Sequence, residues 1–334
     1  MLVPATLSDL SLPRAGTDRL EVLRGATMGT TWSVKLIPAP GLHLAEIRSG
    51  IEARLDRVVA QMSTWEPGSD LSRYNRAPAG SWHELPDECF TVLAHAVEVA
   101  GETGGAYDPT VGPLVDLWGF GPAQRRHTRP PADAITAARA RTGWERLTLD
   151  ARARRVRQPG GVSVDLSSIA KGFAVDQVAA HLRRLGVTSY LVEIGGELRG
   201  HGAKPDGTPW WVALERPPRS PVEGSGAGDL IVALHGLSVA TSGDYRRFFE
   251  DGGQCYSHTI DPRTGCPVDQ GLASVTVLHP ECMIADALAT ALTVLGAAAG
   301  LAYARRRSLA ALFIERGPRG IEERMTPSFA AMLE

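Results

Sequence analysis

The chain has 334 residues, enough for one large or two modest domains with a sizeable core. A formal net charge of −2, with 43% apolar and 22% charged residues, argues against a broad basic nucleic-acid surface and against global disorder. The 36 glycines and 23 prolines exceed the ordinary combined share of about 12%, which fits either slack linkers or many backbone-dictated turns.

In chain order, residues 1–20 show no basic region followed by an apolar stretch and no lipid-accepting cysteine, so they read as a poorly ordered extension without a secretory leader. TWSVKL reads as a strand. Ile47, Ile51, Leu55, Val58, Val59 and Met62 recur at helical spacing and predict an amphipathic helix over 45–62. Asp87 is placed to cap a second helix that runs to Glu102. The proline- and arginine-rich stretch 121–133 reads as a surface loop, as does 215–229. ERLTLD and VSVDL read as strands, followed by a helix over Ile169 to Leu185 that Gly186 ends. SYLVEI, WWVAL, DLIVAL, QCYSH, ASVTVL and SLAALFIE are further strand runs. Met283 to Ala304 is long enough to span a membrane, but it is Ala/Gly-rich and carries Asp286, so a buried core helix is expected and not a transmembrane segment. Strands and helices mix without βαβ alternation, which predicts an α+β fold with mixed or antiparallel sheets and packed helices. The spacings of Cys89, Cys255, Cys266 and Cys282 match no metal or redox motif, and free thiols in a reducing compartment are expected.

The glycines gather in runs that mix carboxylates and hydroxyls, which is what a backbone needs to approach a phosphate closely. None of these runs fits a dinucleotide fingerprint or a P-loop. Asp286 and Thr290 fall one helical turn apart and offer hard oxygens to Mg²⁺; alternatively, Thr290 bonds back to its own helix. Ser167, Ser168 and the neighbouring amides lie where a helix begins, a natural anion site that Lys171 can complete as a point charge; a plain capped helix with an exposed lysine is the alternative. His258, beside Asp261-Pro-Arg-Thr-Gly, is the histidine best placed to be a general base, against a purely structural role.

Taken together, Met28-Gly-Thr, Met62-Ser-Thr-Trp-Glu-Pro-Gly-Ser-Asp-Leu-Ser-Arg-Tyr-Asn, Gly105-Ala-Tyr-Asp-Pro-Thr-Val-Gly, Asp165-Leu-Ser-Ser-Ile-Ala-Lys-Gly, Ile194-Gly-Gly-Glu, Thr241-Ser-Gly-Asp-Tyr-Arg, Ser257-His-Thr-Ile-Asp-Pro-Arg-Thr-Gly and Ala285-Asp-Ala-Leu-Ala-Thr resemble the ApbE family of flavin transferases. The resemblance is collinear over about residues 25–316. It implies a T-fold-related α+β architecture, with 21–334 forming one domain whose two subdomains flank an FAD cleft. It also implies Mg²⁺-dependent transfer of FMN from FAD to a Thr or Ser hydroxyl of an acceptor protein, with release of AMP. By that resemblance Met28, Trp65, Ala106, Tyr107, Asp108, Asp165, Lys171 and Ile260 line the FAD site, Ser168, Asp286 and Thr290 hold the metal, and His258 activates the acceptor hydroxyl. The acceptor would carry a motif of the type Asp-x-x-[Ser/Thr]-x-Ala-Thr. Two positions depart from the family pattern: Ser167-Ser168 stand where Gly-Gly is more common, and Trp65 where Tyr is common. Competing expectations are an FAD pyrophosphatase giving FMN and AMP, and a non-catalytic flavin-binding protein. A cytoplasmic location is expected for the chain as given, or a periplasmic or membrane-anchored one if a leader was removed.

Overall fold

Period-2 alternation of apolar residues builds an antiparallel sheet whose eight strands lie side by side in chain order: β1 (Glu21–Thr27), β2 (Thr30–Ile37), β3 (Ser189–Ile194), β4 (Glu197–His201), β5 (Leu237–Gly243), β6 (Leu272–His279), β7 (Ala310–Gly317) and β8 (Gly320–Met325). The computed structural model describes residues 1–3, 19–123, 125–217, 230–269, 271–317 and 320–333. Tyr190, Val192 and Ile194 of β3 face one core while Leu191 faces the other, and β7 repeats this with Ala311 and Phe313 against Leu312 and Ile314.

The first face is covered by α1 (Leu44–Met62), α2 (Asp87–Glu102), α3 (Ala170–Arg184) and α4 (Cys282–Arg306). The second is covered by the hairpin Trp210–Ala213 with Ile231–Leu234 and by the short helix Pro327–Ala330. Leu2 is fully buried there and bridges Val232 and Leu333, so the 1–20 extension is not uniformly poorly ordered. Residues 4–18 of it lie outside the described residues.

α4 is the apolar stretch 283–304 extended by a few residues. It is one helix long and apolar enough to cross a membrane, but it packs between sheet and helices, with 67% of its most apolar window buried. Gly296 (φ 76°, ψ 171°) kinks it. All four cysteines are free thiols.

Three local readings need correction. VSVDL is not a strand: the side-chain amide of Asn75 donates to Val164 O and accepts from Val164 N, both at 2.8 Å, and so does the work of a neighbouring strand. ERLTLD divides into a 3₁₀ turn over Trp144–Arg146 and the three-residue strand Thr148–Asp150. Asp87 does not cap its helix; Pro86 holds the cap position, and Asp87 sits in the first turn, where its side chain pairs with Arg154. Most of the 215–229 loop, from 218 onward, and residue 124 of the 121–133 loop lie outside the described residues, and 132–133 already belong to the helix Ala132–Arg139.

α3 and α4 meet at Gly172, where an added Cβ would lie 2.3 Å from Cys282 O and 2.9 Å from Asp286 Cβ. Gly172→Ala must therefore push the two helices apart. Overpacking of this kind costs about 1–3 kcal/mol, and thermal unfolding should show Tm lower by about 1.5–4 °C.

Candidate active site

The β1–β2 connection is a two-residue turn with positive φ at both Met28 (49°) and Gly29 (70°), the geometry of a tight hairpin; at Met28 it is strained for a residue with a side chain. Pairing of Trp32 with Ile194 sets this turn beside the Gly195-Gly196 turn that joins β3 to β4, and Gly195 N donates to Thr31 O at 3.1 Å. Arg246, just past β5, donates from Nη1 to Gly195 O at 2.9 Å and pairs with Glu215. Gly196 has φ 103°, a conformation that favours glycine, and an added Cβ would also meet the Arg246 guanidinium at 2.6 Å. Two turns and a strand exit thus crowd one end of the sheet.

The first turn of α3 brings Lys171 to that end. Its Nζ lies 2.5 Å from Glu197 Oε1 on β4, and the Glu197 side chain is only 3% exposed. An exposed lysine on a plain capped helix is therefore not what forms. Burial works against the Lys171 ammonium, but the Glu197 and Asp286 carboxylates outweigh it and hold its pKa above the ordinary value. Burial pushes Glu197 up to about 7 against the pull of Lys171.

Asp286, in α4, is 5% exposed, and its Oδ2 accepts the Gly172 amide at 3.0 Å. The carboxylate thus sits on the positive end of α3. Burial raises its pKa, while Lys171 and the Gly172 amide pull it down. The Ser167 amide donates to Asp165 Oδ1 at 2.7 Å. Two amides that the sequence offers to an anion are therefore already committed.

Tyr107, fully buried after α2, accepts a hydrogen bond from Ser168 Oγ at 3.1 Å, and burial pushes its phenol well up. Its neighbour Ala106 is buried as well. Asp108 is turned to the local backbone: Oδ1 accepts from Thr110 N and Oγ1 at 2.7 and 2.6 Å, and Oδ2 accepts from Trp144 N at 3.2 Å. Trp65 lies on the turn after α1, 53% exposed. Its neighbour Thr64 shares with Asp165, Asn75 and Arg76 the wall of a cavity of about 150 Å³.

His258 follows the hairpin Phe248–Asp251 with Gln254–Ser257, edge-on to Phe120. Its Nδ1 lies 3.2 Å from Arg247 O. A carbonyl only accepts, so Nδ1 carries the proton and Nε2 keeps its lone pair. Burial pushes the ring pKa down to about 4; the Arg247 backbone bond opposes this, and the Arg247, Lys171 and Arg246 charges add to it. Ile260, two residues on, is buried in a small apolar cluster with Leu114 and Trp118.

The donor set suits a hard cation. Asp286 is a buried carboxylate with one described hydrogen bond. The Thr290 hydroxyl makes none among the described residues, whereas that of Thr293 in the same helix bonds back to Ala289 O at 2.8 Å. No group of three His, Cys, Asp or Glu suited to a metal occurs among the described residues.

The chain matches the ApbE family over residues 28–313. It belongs to the ApbE family. It is 42% identical over 315 residues to the FAD:protein FMN transferase of Vibrio cholerae, covering 93% of this chain and 92% of that protein, and 34% identical to the enzyme of the same name from Escherichia coli, covering 93% and 89%. The apo flavinyl transferase ApbE of Pseudomonas stutzeri superposes with a TM-score of 0.86 at 42% identity, covering 94% of this chain and 97% of that one. An ApbE protein from Thermotoga maritima gives 0.84 at 27% identity, covering 95% and 100%. The α+β ApbE fold expected from the sequence is the fold observed.

Within this ApbE chain the structure unites Lys171, Asp286, Tyr107, Ser168 and His258 through contacts or mutual electrostatics. Trp65 stands apart on its exposed turn. Glu197, Arg246 and Gly172 belong to the same cluster, yet the sequence reading gave them no role. The Gly-Gly-Glu run was the available signal, since a charged residue directly after a tight turn is placed by that turn. Asp108→Asn sets an amide N–H against a backbone N–H of Thr110 or Trp144. It should cost about 1–3 kcal/mol, read as a lower urea midpoint with an unchanged denaturant slope.

Proposed function

We propose that this chain is an FAD:protein FMN transferase that joins FMN, through its phosphate, to a Ser or Thr hydroxyl of an acceptor protein and releases AMP. The observation that carries the reading is Lys171 held at the end of the sheet by Glu197 and close to the Asp286 carboxylate, with its charge felt by His258, in a chain with 42%-identical relatives of that name. Met28, Trp65, Ala106, Tyr107, Asp108, Asp165 and Ile260 contribute to the FAD site. Asp286, Thr290 and Ser168 would hold Mg²⁺, which when bound neutralises charge on the pyrophosphate oxygens. The Ser168 hydroxyl proton is given to Tyr107, so its oxygen retains lone pairs for that purpose.

Lys171 offers its ammonium to the pyrophosphate. The acceptor oxygen bonds to the FMN phosphorus, the bridging P–O bond breaks, and the electron pair leaves with AMP. The hydroxyl proton passes to His258 Nε2. Most of the rate enhancement then comes from positioning and charge neutralisation.

The direct test incubates the protein with FAD, Mg²⁺ and a peptide carrying Asp-x-x-[Ser/Thr]-x-Ala-Thr. The expected result is a mass gain of one FMN unit and flavin fluorescence that stays on the denatured peptide; free FMN with an unmodified peptide would instead mark a pyrophosphatase. His258→Ala should slow transfer by about 10²–10⁴-fold. A histidine whose pKa is lowered stays neutral until the pH falls to that value, so in a Glu197→Gln background, where the carboxylate held near 7 no longer titrates, transfer should remain level from pH 8 down to about pH 5. In that background a rate that halves near pH 6.5 would mean that the His258 ring is not desolvated as described, and a pH profile unchanged by His258→Ala would contradict the base assignment. Asp286→Ala should abolish Mg²⁺-dependent turnover, with little recovery on raising Mg²⁺.

A further inference from the structure

We propose that Glu197 is the residue that positions Lys171 for flavin transfer. The inference rests on Lys171 acting at the donor pyrophosphate and adds what aims it there. Glu197 is the first residue of β4, directly after the Gly195-Gly196 turn, and its side chain is almost fully withdrawn from water. Glutamate is seldom buried this far without a pairing role. Oε1 holds Lys171 Nζ at 2.5 Å, but Oε2 is buried with no hydrogen-bond partner among the described residues. A buried pair that serves stability needs every oxygen satisfied, and a half-satisfied one is worse than an apolar pair of the same shape. Stability therefore does not explain this glutamate.

Its position does. Lysine is a compact charge on a flexible stem, and Lys171 feels two anions, Glu197 from the sheet and Asp286 from α4. With Glu197 absent, the ammonium is free to close on Asp286 and use up the carboxylate assigned to the metal. Glu197 holds Nζ on the sheet side instead. It does so from a rigid base, because the turn it follows is fixed by Arg246 Nη1 on Gly195 O.

The test compares Glu197→Gln, Glu197→Ala, Lys171→Ala and the double variant Glu197→Ala/Lys171→Ala, each read for Tm, kcat and the KM for FAD. Glu197→Gln keeps the shape and one acceptor oxygen, so Tm should stay within about 2 °C of wild type while kcat falls about tenfold. Glu197→Ala should lower kcat about 100-fold, and the double variant should be no slower than Lys171→Ala alone. If Glu197→Ala does not fold, combining Glu197→Gln with Lys171→Ala gives the same comparison. Losses that multiply in the double variant, or a wild-type kcat for Glu197→Ala, would overturn the assignment and leave the role of Lys171 standing. A wild-type kcat for Lys171→Ala would overturn that role and this inference with it.

Discussion

The close contact of α3 and α4 at Gly172 is the constraint from which the site follows. Without a side chain at 172, the α3 amide reaches the Asp286 carboxylate. That one bond fixes the depth of Asp286 against the start of α3 and therefore its relation to Lys171, one residue earlier. It also sets a negative charge at a helix N-terminus, which offsets part of the cost of burying a carboxylate in an apolar helix. A bulkier residue at this contact would separate Asp286 from Lys171.

The sheet supplies the remaining convergence. Because its strands follow chain order, the long insertions between β2 and β3 and between β5 and β6 leave from and return to neighbouring strands. The Met28-Gly29 turn, the Gly195-Gly196 turn and Arg246 after β5 therefore share one end although more than 200 residues separate the first from the last. Both faces are covered, by helices on one side and by a hairpin with the C-terminal segment on the other, so that end is held from both sides.

Much of this was legible in the sequence. The periodic apolar residues of 45–62, the runs SYLVEI and ASVTVL, and the helix broken by Gly186 stand almost where their patterns put them, because each buries one face or is buried throughout. β1 and β8, at the sheet edges, and β4 and β5, inside the sheet, were not legible: β1 buries only Leu23, β8 buries no residue fully, and β4 and β5 are rich in glycine, charged or hydroxyl residues. VSVDL misled because its hydrogen-bond partner is a side chain 89 residues away. In the site, Asp286 and Thr290 could be paired from helical spacing alone. Glu197 could not be joined to Lys171, since no local pattern reveals that a glutamate after two glycines faces a helix 26 residues earlier.

The amide of Asn75 that stands in for a strand also ties two walls of the cavity into one unit. Ser69 caps the short helix Asp70–Asn75, and both its hydroxyl and that of Ser72 bond Ser63 O, at the base of the turn that carries Trp65. At its other end the same helix holds Val164, next to Asp165. Trp65 and Asp165, 100 positions apart in the chain, are thus mounted on a common rigid mechanical frame. The placement of both therefore depends on one six-residue helix.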